Sequence, residues 1–183
     1  RSSDLFRSTA SASLAILLFS FSTTAVAADE KPANAAELFD YTRLWDVRIH
    51  ISEDSFRGLE PKQARGFDRD FPYVEATVEI GGHPSLKVAL RYKGNSSYSS
   101  ARDTKKKSFK VDFNRIIEKQ KFLGLTKLNL NNNILDPSQV RETLAYRMFN
   151  NLGLPSCRTA FAKVYLEIEG RSGEEYLGLY TMV

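Results

Sequence analysis

Apolar and polar residues alternate in several stretches of the chain, which is the two-residue period of a β-strand with one buried face. These stretches cover residues 45–51, 74–80, 86–93, 109–113 and 162–168. Residues 176–183 are apolar on both faces and predict a central, buried strand. Gly81 and Gly82 lie between the second and third stretches, so these two are predicted to form an antiparallel hairpin.

One helix is predicted over residues 137–152. Asp136 is placed to cap its N-terminus, Pro137 to occupy its first position and Gly153 to end it. Its apolar residues fall on one stripe, which predicts that the helix packs on the sheet. The stripe consists of Val140, Leu144, Ala145, Met148, Phe149 and Leu152.

The order of these elements predicts an α+β fold, mainly an antiparallel sheet with one principal helix. Residues 54–71, 94–100 and 129–133 interrupt the periodic patterns and are predicted to be irregular. The last strand runs to Val183 without a cap or a polar tail. We therefore expect a truncated domain, with the intact protein continuing beyond this point.

The first 27 residues have the pattern of a secretory signal peptide. Arg1 and Arg7 supply a basic start, residues 14–21 an apolar run, and residues 25–27 a small-x-small cleavage site. The run is shorter than the roughly 20 residues needed to span a bilayer. Export to the periplasm, the envelope or the medium is predicted, with no stable membrane span after cleavage. An uncleaved amphipathic anchor is the alternative.

Three segments follow from these patterns: a signal peptide at 1–27, a linker or short helix at 28–44, and a folded part at 45–183. With 42% hydrophobic and 26% charged residues, the composition is that of a globular protein. The net charge of +4 is concentrated near Lys105-Lys106-Lys107. This run suits phosphate or an acidic partner, or is simply a solvated loop. Without aromatic residues interleaved in it, it does not predict a nucleic-acid partner.

Cysteine and histidine content excludes two kinds of site. Cys157 is the single cysteine, so neither an internal disulfide nor a Cys-based zinc site can form. His50 and His83 are too far apart in sequence for a local metal motif. No metal site is predicted from these residues, and His50 is predicted to face solvent from its strand.

Three groups of residues are candidates for a phosphate site. Lys93 is followed by Gly94, Asn95, Ser96 and Ser97, a turn whose hydroxyl, amide and backbone N–H groups can surround a phosphate; a plain loop is the alternative. Lys106 and Lys107 lead into a strand and can meet phosphate oxygens, or form a charged edge that prevents sheet association. Arg141 projects near the middle of the apolar stripe and is followed by Glu142. An arginine at this position needs a buried partner, has a functional role, or extends its side chain back to solvent.

Taken in order, several segments resemble the CotH family of spore-coat-type atypical protein kinases. The resemblance runs from about residue 45 to the end of the chain, and its specificity lies in the ordered set. The segments are Arg91-Tyr92-Lys93-Gly94-Asn95-Ser96-Ser97, Lys106-Lys107-Ser108-Phe109, Leu123-Gly124, Asp136-Pro137-Ser138, Arg141-Glu142, Leu152-Gly153-Leu154-Pro155 and Tyr176-Leu177-Gly178-Leu179-Tyr180.

This resemblance implies a kinase-like fold of which the chain is the N-terminal, nucleotide-binding lobe. It implies ATP and a divalent metal, Mg or Mn, as cofactors and Ser or Thr of a protein as phosphate acceptor. Gly94 to Ser97 would then approach the phosphates, and Lys107 or Lys106 would neutralise their charge. Glu142 or Arg141 would position that lysine or the phosphates.

Two points in the resemblance stay open. Lys93 stands where the family often has Arg, so its role is undecided. The metal-binding and base carboxylates of the family are expected beyond Val183, which makes this fragment inactive alone. The alternative is a catalytically inactive surface, envelope or adhesion protein that keeps a kinase-like fold and uses the basic loop to bind an acidic partner.

Overall fold

The computed structural model describes residues 31–62 and 69–183. The predicted signal peptide and the first residues of the predicted linker lie outside these ranges. The described residues form a mixed α+β fold in which a seven-stranded sheet dominates and the helices are short. In chain order the elements are α1 Ala35–Leu38, β1 Leu44–Ile51, α2 Glu53–Gly58, β2 Val74–Ile80, β3 Leu86–Tyr92, α3 Asn95–Ser100, β4 Phe109–Asp112, β5 Lys127–Asn131, α4 Arg141–Asn151, β6 Ala160–Ile168 and β7 Glu174–Met182.

The sheet closes into a barrel with the strand order β1-β2-β3-β4-β5-β7-β6. Each neighbouring pair is antiparallel except β1 and β6, which run parallel over the register Leu44↔Phe161 to Ile51↔Ile168. The prediction of a mainly antiparallel sheet is therefore confirmed. Closure through a parallel pair was not predicted, because periodicity shows which face of a strand is buried but not which strand lies beside it.

The alternating residues fill the barrel interior. Along β1 the exposed fraction of Trp45, Val47 and Ile49 is at most 1%. The buried indole N–H of Trp45 donates a hydrogen bond to the carbonyl of Leu38 at 2.8 Å. Leu38 is itself fully buried, so this bond and its apolar side chain fix α1 against the barrel.

The predicted hairpin between β2 and β3 is confirmed. Gly81 has a φ of +55°, and a Cβ there would lie 2.9 Å from Cδ of Pro32. A side chain at this position would be strained by both the backbone conformation and the contact. The glycine therefore allows the turn to lie against the segment that precedes α1.

Each of the three regions predicted to be irregular contains regular structure. Residues 54–71 contain most of α2, and residues 94–100 contain α3. Residues 129–133 overlap β5, in which Leu128 and Leu130 are buried and Asn129 and Asn131 face outward. Asparagine is unfavourable in strands, which concealed a two-residue alternation that the barrel satisfies.

The predicted helix begins four residues later than expected, at Arg141. Gln139 has a φ of +59°, which interrupts a helix starting at Pro137. Asp136 still stabilises the first turn of the helix, because its Oδ2 accepts a hydrogen bond from the backbone N–H of Arg141 at 2.9 Å. The predicted C-terminal end is confirmed, with Gly153 in the left-handed region at a φ of +73°.

The apolar stripe of α4 does not pack on the barrel, so this prediction is wrong. Leu144, Met148 and Leu152 are 51%, 63% and 71% exposed. The buried residue of the helix is Thr143. A 3.6-residue period shows that one face is apolar, but it does not show what covers that face.

Substitutions in α4 and β5 are expected to distinguish the exposed stripe of α4 from the buried interior of the barrel. Leu144→Ala should change the free energy of unfolding by less than about 1 kcal/mol, because its side chain is half exposed. Leu130→Ala should cost about 2–5 kcal/mol, because it empties space inside the barrel. Urea denaturation of the two variants measures the difference. Equal losses would show that the α4 stripe is covered.

Candidate functional site

A pocket of about 430 Å³ lies at the barrel end where β3, β4 and β5 approach the start of α4. Lys93, Gly94 and Ser97 line one side, directly after β3. Arg141 and Glu142 line the other side from the first turn of α4. The structure thus brings together parts of the first and third candidate groups, which are far apart in sequence.

A hydrogen-bonded chain of three side chains crosses this pocket. The ammonium of Lys93 donates to Oδ1 of Asn131 at 2.8 Å, and Nδ2 of Asn131 donates to Oε1 of Glu142 at 2.7 Å. Burial lowers the pKa of Lys93, and the Glu142 carboxylate opposes that shift. Lys93 is therefore a partly buried cation that is linked to the Glu142 carboxylate through a neutral amide.

The two asparagines after Asn131 hold the walls of the pocket. Nδ2 of Asn132 donates to the carbonyl of Lys106 at 2.7 Å, and its backbone N–H donates to Oγ of Ser108 at 3.0 Å. Nδ2 of Asn133 donates to Oγ1 of Thr181 in β7 at 3.0 Å. These bonds fix the backbone around Asn131, so the direction of its side chain is set by the sheet.

Gly94 allows the chain to turn from β3 into α3. Its φ is +77°, and a Cβ would lie 2.5 Å from Oγ of Ser97. The Ser97 hydroxyl donates to the carbonyl of Gly94 at 3.2 Å, which closes this turn internally. Asn95 and Ser96 begin α3 and do not line the pocket, and the Asn95 carbonyl accepts from Arg69 at 3.0 Å.

The second candidate group lies outside the pocket. Lys107 is 5% exposed, and its ammonium donates to the backbone carbonyls of Ala101 and Arg102 and lies 4.6 Å from the centre of the Tyr98 ring. Burial lowers the pKa of Lys107. These contacts give Lys107 a structural role in closing the turn after α3.

Lys106 turns toward β7. Its ammonium lies 5.7 Å from the centre of the Tyr180 ring, and burial lowers its pKa. A Cβ on Gly178 would lie 3.1 Å from both Cε and Nζ of this lysine. The side chain therefore occupies the space that a larger residue at 178 would need.

Arg141 does not point into an apolar interior. Its side chain is 70% exposed, and its Nε lies 3.4 Å from Oδ1 of Asp136. Of the alternatives left open, a side chain that reaches solvent describes Arg141, and it is also paired with Asp136, whose side chain is only 13% exposed. The guanidinium lies at the pocket rim, where its charge can act on an anion that enters.

Sequence reasoning left Lys93 undecided and did not consider Asn131. The available signal was the alternation of Leu128 and Leu130 with Asn129 and Asn131, which predicts outward-facing amides at a strand end. His50 was correctly predicted to be a strand residue near solvent. Its Nδ1 lies 2.6 Å from Oε2 of Glu167, away from this pocket.

In the described part of the chain, no group of three or more His, Cys, Asp or Glu side chains is arranged to hold a metal ion. No helix in residues 31–62 or 69–183 is long and apolar enough to cross a membrane.

Known proteins resemble the part of the chain that forms this pocket. A family model for the CotH kinase protein matches residues 90–183, just over half of the chain. The inner spore coat protein H of Bacillus subtilis (strain 168) is 29% identical over 127 residues, which cover 68% of this chain and 32% of that protein. The chain thus spans about a third of this curated relative. The matched family segment contains every residue that we place in the pocket, and the chain belongs to the CotH family.

Proposed function

We propose that this chain is the nucleotide-binding part of an exported protein kinase, which transfers the γ-phosphate of ATP to Ser or Thr of a protein. The observation that carries the proposal is the Lys93 ammonium in a pocket next to Gly94 and Arg141. Phosphoryl transfer depends largely on positioning and on stabilising phosphate charge, and a partly buried lysine with a neutral partner is suited to that task. Family membership supports the same reaction class.

Within this proposal the structure favours Lys93 over Lys107 as the phosphate-binding lysine. The Lys107 ammonium is held by the backbone carbonyls of Ala101 and Arg102 and lines a different cavity from Lys93. Lys93 and Arg141 face one pocket, where two cations can contact a polyphosphate from opposite sides. Gly94 and Ser97 lie beside Lys93, close to where the resemblance places the phosphates.

The pocket fits phosphate better than it fits a divalent metal. It has two carboxylates, Asp136 and Glu142, and within the described residues no group of three or more His, Cys, Asp or Glu side chains is arranged to hold a metal ion. Metal-binding and catalytic carboxylates are thus expected from another part of the intact protein. The exposed apolar stripe of α4 supports this expectation, because such a surface normally contacts other protein.

Location at a cell envelope or spore coat belongs to the same proposal. The name of the relative, inner spore coat protein H, and the signal-like residues 1–27 both support it. Mass spectrometry of protein expressed in a secreting host should find a mature N-terminus at Ala28. A chain that retains residues 1–27 would contradict cleavage there and favour the uncleaved anchor.

Two lysine variants are expected to behave in opposite ways. Lys93→Met should weaken the binding of inorganic tripolyphosphate about 10- to 100-fold, because one charge-assisted contact is lost, and should leave the folded state intact. Lys107→Met should lower the free energy of unfolding by about 1–2 kcal/mol, because the carbonyls of Ala101 and Arg102 lose a charged donor. Its affinity for tripolyphosphate should stay near that of the wild type.

Isothermal titration calorimetry and thermal denaturation of the same samples measure both effects. Loss of affinity in a stable Lys107→Met variant would move the phosphate site to Lys107. A wild-type chain that binds neither tripolyphosphate nor ATP would favour the inactive envelope-binding protein.

The lowered pKa of Lys93 predicts a pH dependence. Glu142 on α4, Lys110 on β4, Arg91 on β3 and Cys157 after α4 act on its charge, and desolvation is the largest effect. As pH rises through this lowered pKa, the ammonium loses its proton and the affinity for tripolyphosphate should decrease. The decrease should begin at a lower pH than for an ordinary lysine, whose pKa is 10.5.

The matched control is Lys93→Arg, because a guanidinium stays charged throughout this range. Its affinity should change less with pH than that of the wild type. Identical pH profiles for the two proteins would show that Lys93 does not carry the charge that binds phosphate.

A further inference from the structure

An amide separates the lysine and the glutamate that face the pocket. Asn131 accepts from Lys93 through Oδ1 and donates to Glu142 through Nδ2, at 2.8 Å and 2.7 Å. An amide can satisfy both neighbours at once, because an ammonium only donates and a carboxylate only accepts. The two bonds therefore fix which way the amide points.

The barrel holds Asn131 and Lys93 at their backbones. Asn131 is the last residue of β5 and is paired with Thr181 of β7. The backbone N–H of Lys93 donates to the carbonyl of Ser108 at 2.9 Å. Glu142, in contrast, lies on α4, whose apolar stripe is exposed. The bond from Asn131 thus links the helix to the sheet at the pocket.

Asn131 separates Lys93 from Glu142, and this separation determines whether the Lys93 ammonium is available to a ligand. In a direct ion pair the Glu142 carboxylate would neutralise the Lys93 ammonium and compete with phosphate for its hydrogens. With Asn131 between them, one of the three ammonium hydrogens meets a neutral oxygen. The remaining hydrogens can be donated to phosphate oxygens.

We infer that Asn131 is a positioning residue for phosphate binding, which directs the Lys93 ammonium into the pocket and prevents its direct pairing with Glu142. This inference rests on the proposed function of the pocket. It names an asparagine on β5 as a determinant of affinity for the phosphates of a nucleoside triphosphate. Asn131 itself acts through Lys93 and is not assigned a contact with the ligand.

The test measures tripolyphosphate binding by calorimetry to the 183-residue chain and its variants. Asn131→Ala should weaken binding roughly tenfold, because Lys93 can then pair with Glu142. Adding Glu142→Gln to Asn131→Ala should restore most of the affinity, because the competing carboxylate is gone. A purely structural role for Asn131 would not be rescued by removing a charge.

A second variant covers the case in which Asn131→Ala does not fold, as judged by circular dichroism. Asn131→Asp keeps the size of the side chain but pairs directly with Lys93, so it should weaken tripolyphosphate binding more than Asn114→Asp does. Asn114 is exposed and lies two residues beyond the other end of β4, so this control makes the same change in net charge away from the pocket.

The outcomes separate the two proposals. A wild-type chain that does not bind tripolyphosphate overturns the proposed function. A wild-type chain that binds, with Asn131→Ala binding equally well, overturns the role of Asn131 alone. Weakened binding that Glu142→Gln does not restore also overturns it, because the loss would then not come from pairing of Lys93 with Glu142.

Discussion

The parallel pairing of β1 with β6 is the constraint on which the rest of the molecule depends. It joins two strands that are more than a hundred residues apart, over the register Leu44↔Phe161 to Ile51↔Ile168, and converts a sequence of antiparallel strands into a closed barrel. Closure gives every strand a hydrogen-bonded neighbour on both sides and removes exposed edges. It also encloses the alternating apolar residues in one core.

The pocket lies at the end of the antiparallel part of this barrel. Lys93 follows β3 and Asn131 ends β5, and the intervening β4 pairs with both strands. The two side chains are therefore held by adjacent parts of one sheet, while Glu142 and Arg141 come from α4. One wall of the site therefore comes from paired strand ends, and the opposite wall comes from α4, which the hydrogen bond from Asn131 to Glu142 links to the sheet.

Sequence pattern predicted the strands well, because a barrel interior demands the two-residue period shown by Trp45, Val47 and Ile49. It predicted poorly where composition and period disagreed. β5 was missed because Asn129 and Asn131 are weak strand formers, although Leu128 and Leu130 supplied the buried face. The prediction that the apolar stripe of α4 packs on the sheet was wrong, because a stripe of apolar residues does not show which surface it contacts.

For the candidate site, Gly94, Ser97, Arg141 and Glu142 were predicted from sequence and lie in one pocket. The resemblance assigned the phosphate contact to Lys107 or Lys106 and left Lys93 undecided. Lys93 and Lys107 both border a strand, and the direction of each side chain is set by tertiary contacts that the sequence does not show. Only the folded chain shows that the Lys107 ammonium donates to the carbonyls of Ala101 and Arg102, and that the Lys93 ammonium donates to the Asn131 amide of β5.

The contact between Lys106 and Gly178 has a consequence for how the sequence can vary. The stem of Lys106 lies where a side chain at 178 would need to be, and its ammonium lies near the Tyr180 ring. The basic segment and the last strand thus pack against each other here, although Lys106 and Gly178 are 72 positions apart in the chain. Gly178 also has a φ of +120°, so a larger residue there would be strained by its backbone conformation even beside a shorter residue at 106. The last strand is therefore expected to retain glycine at this position.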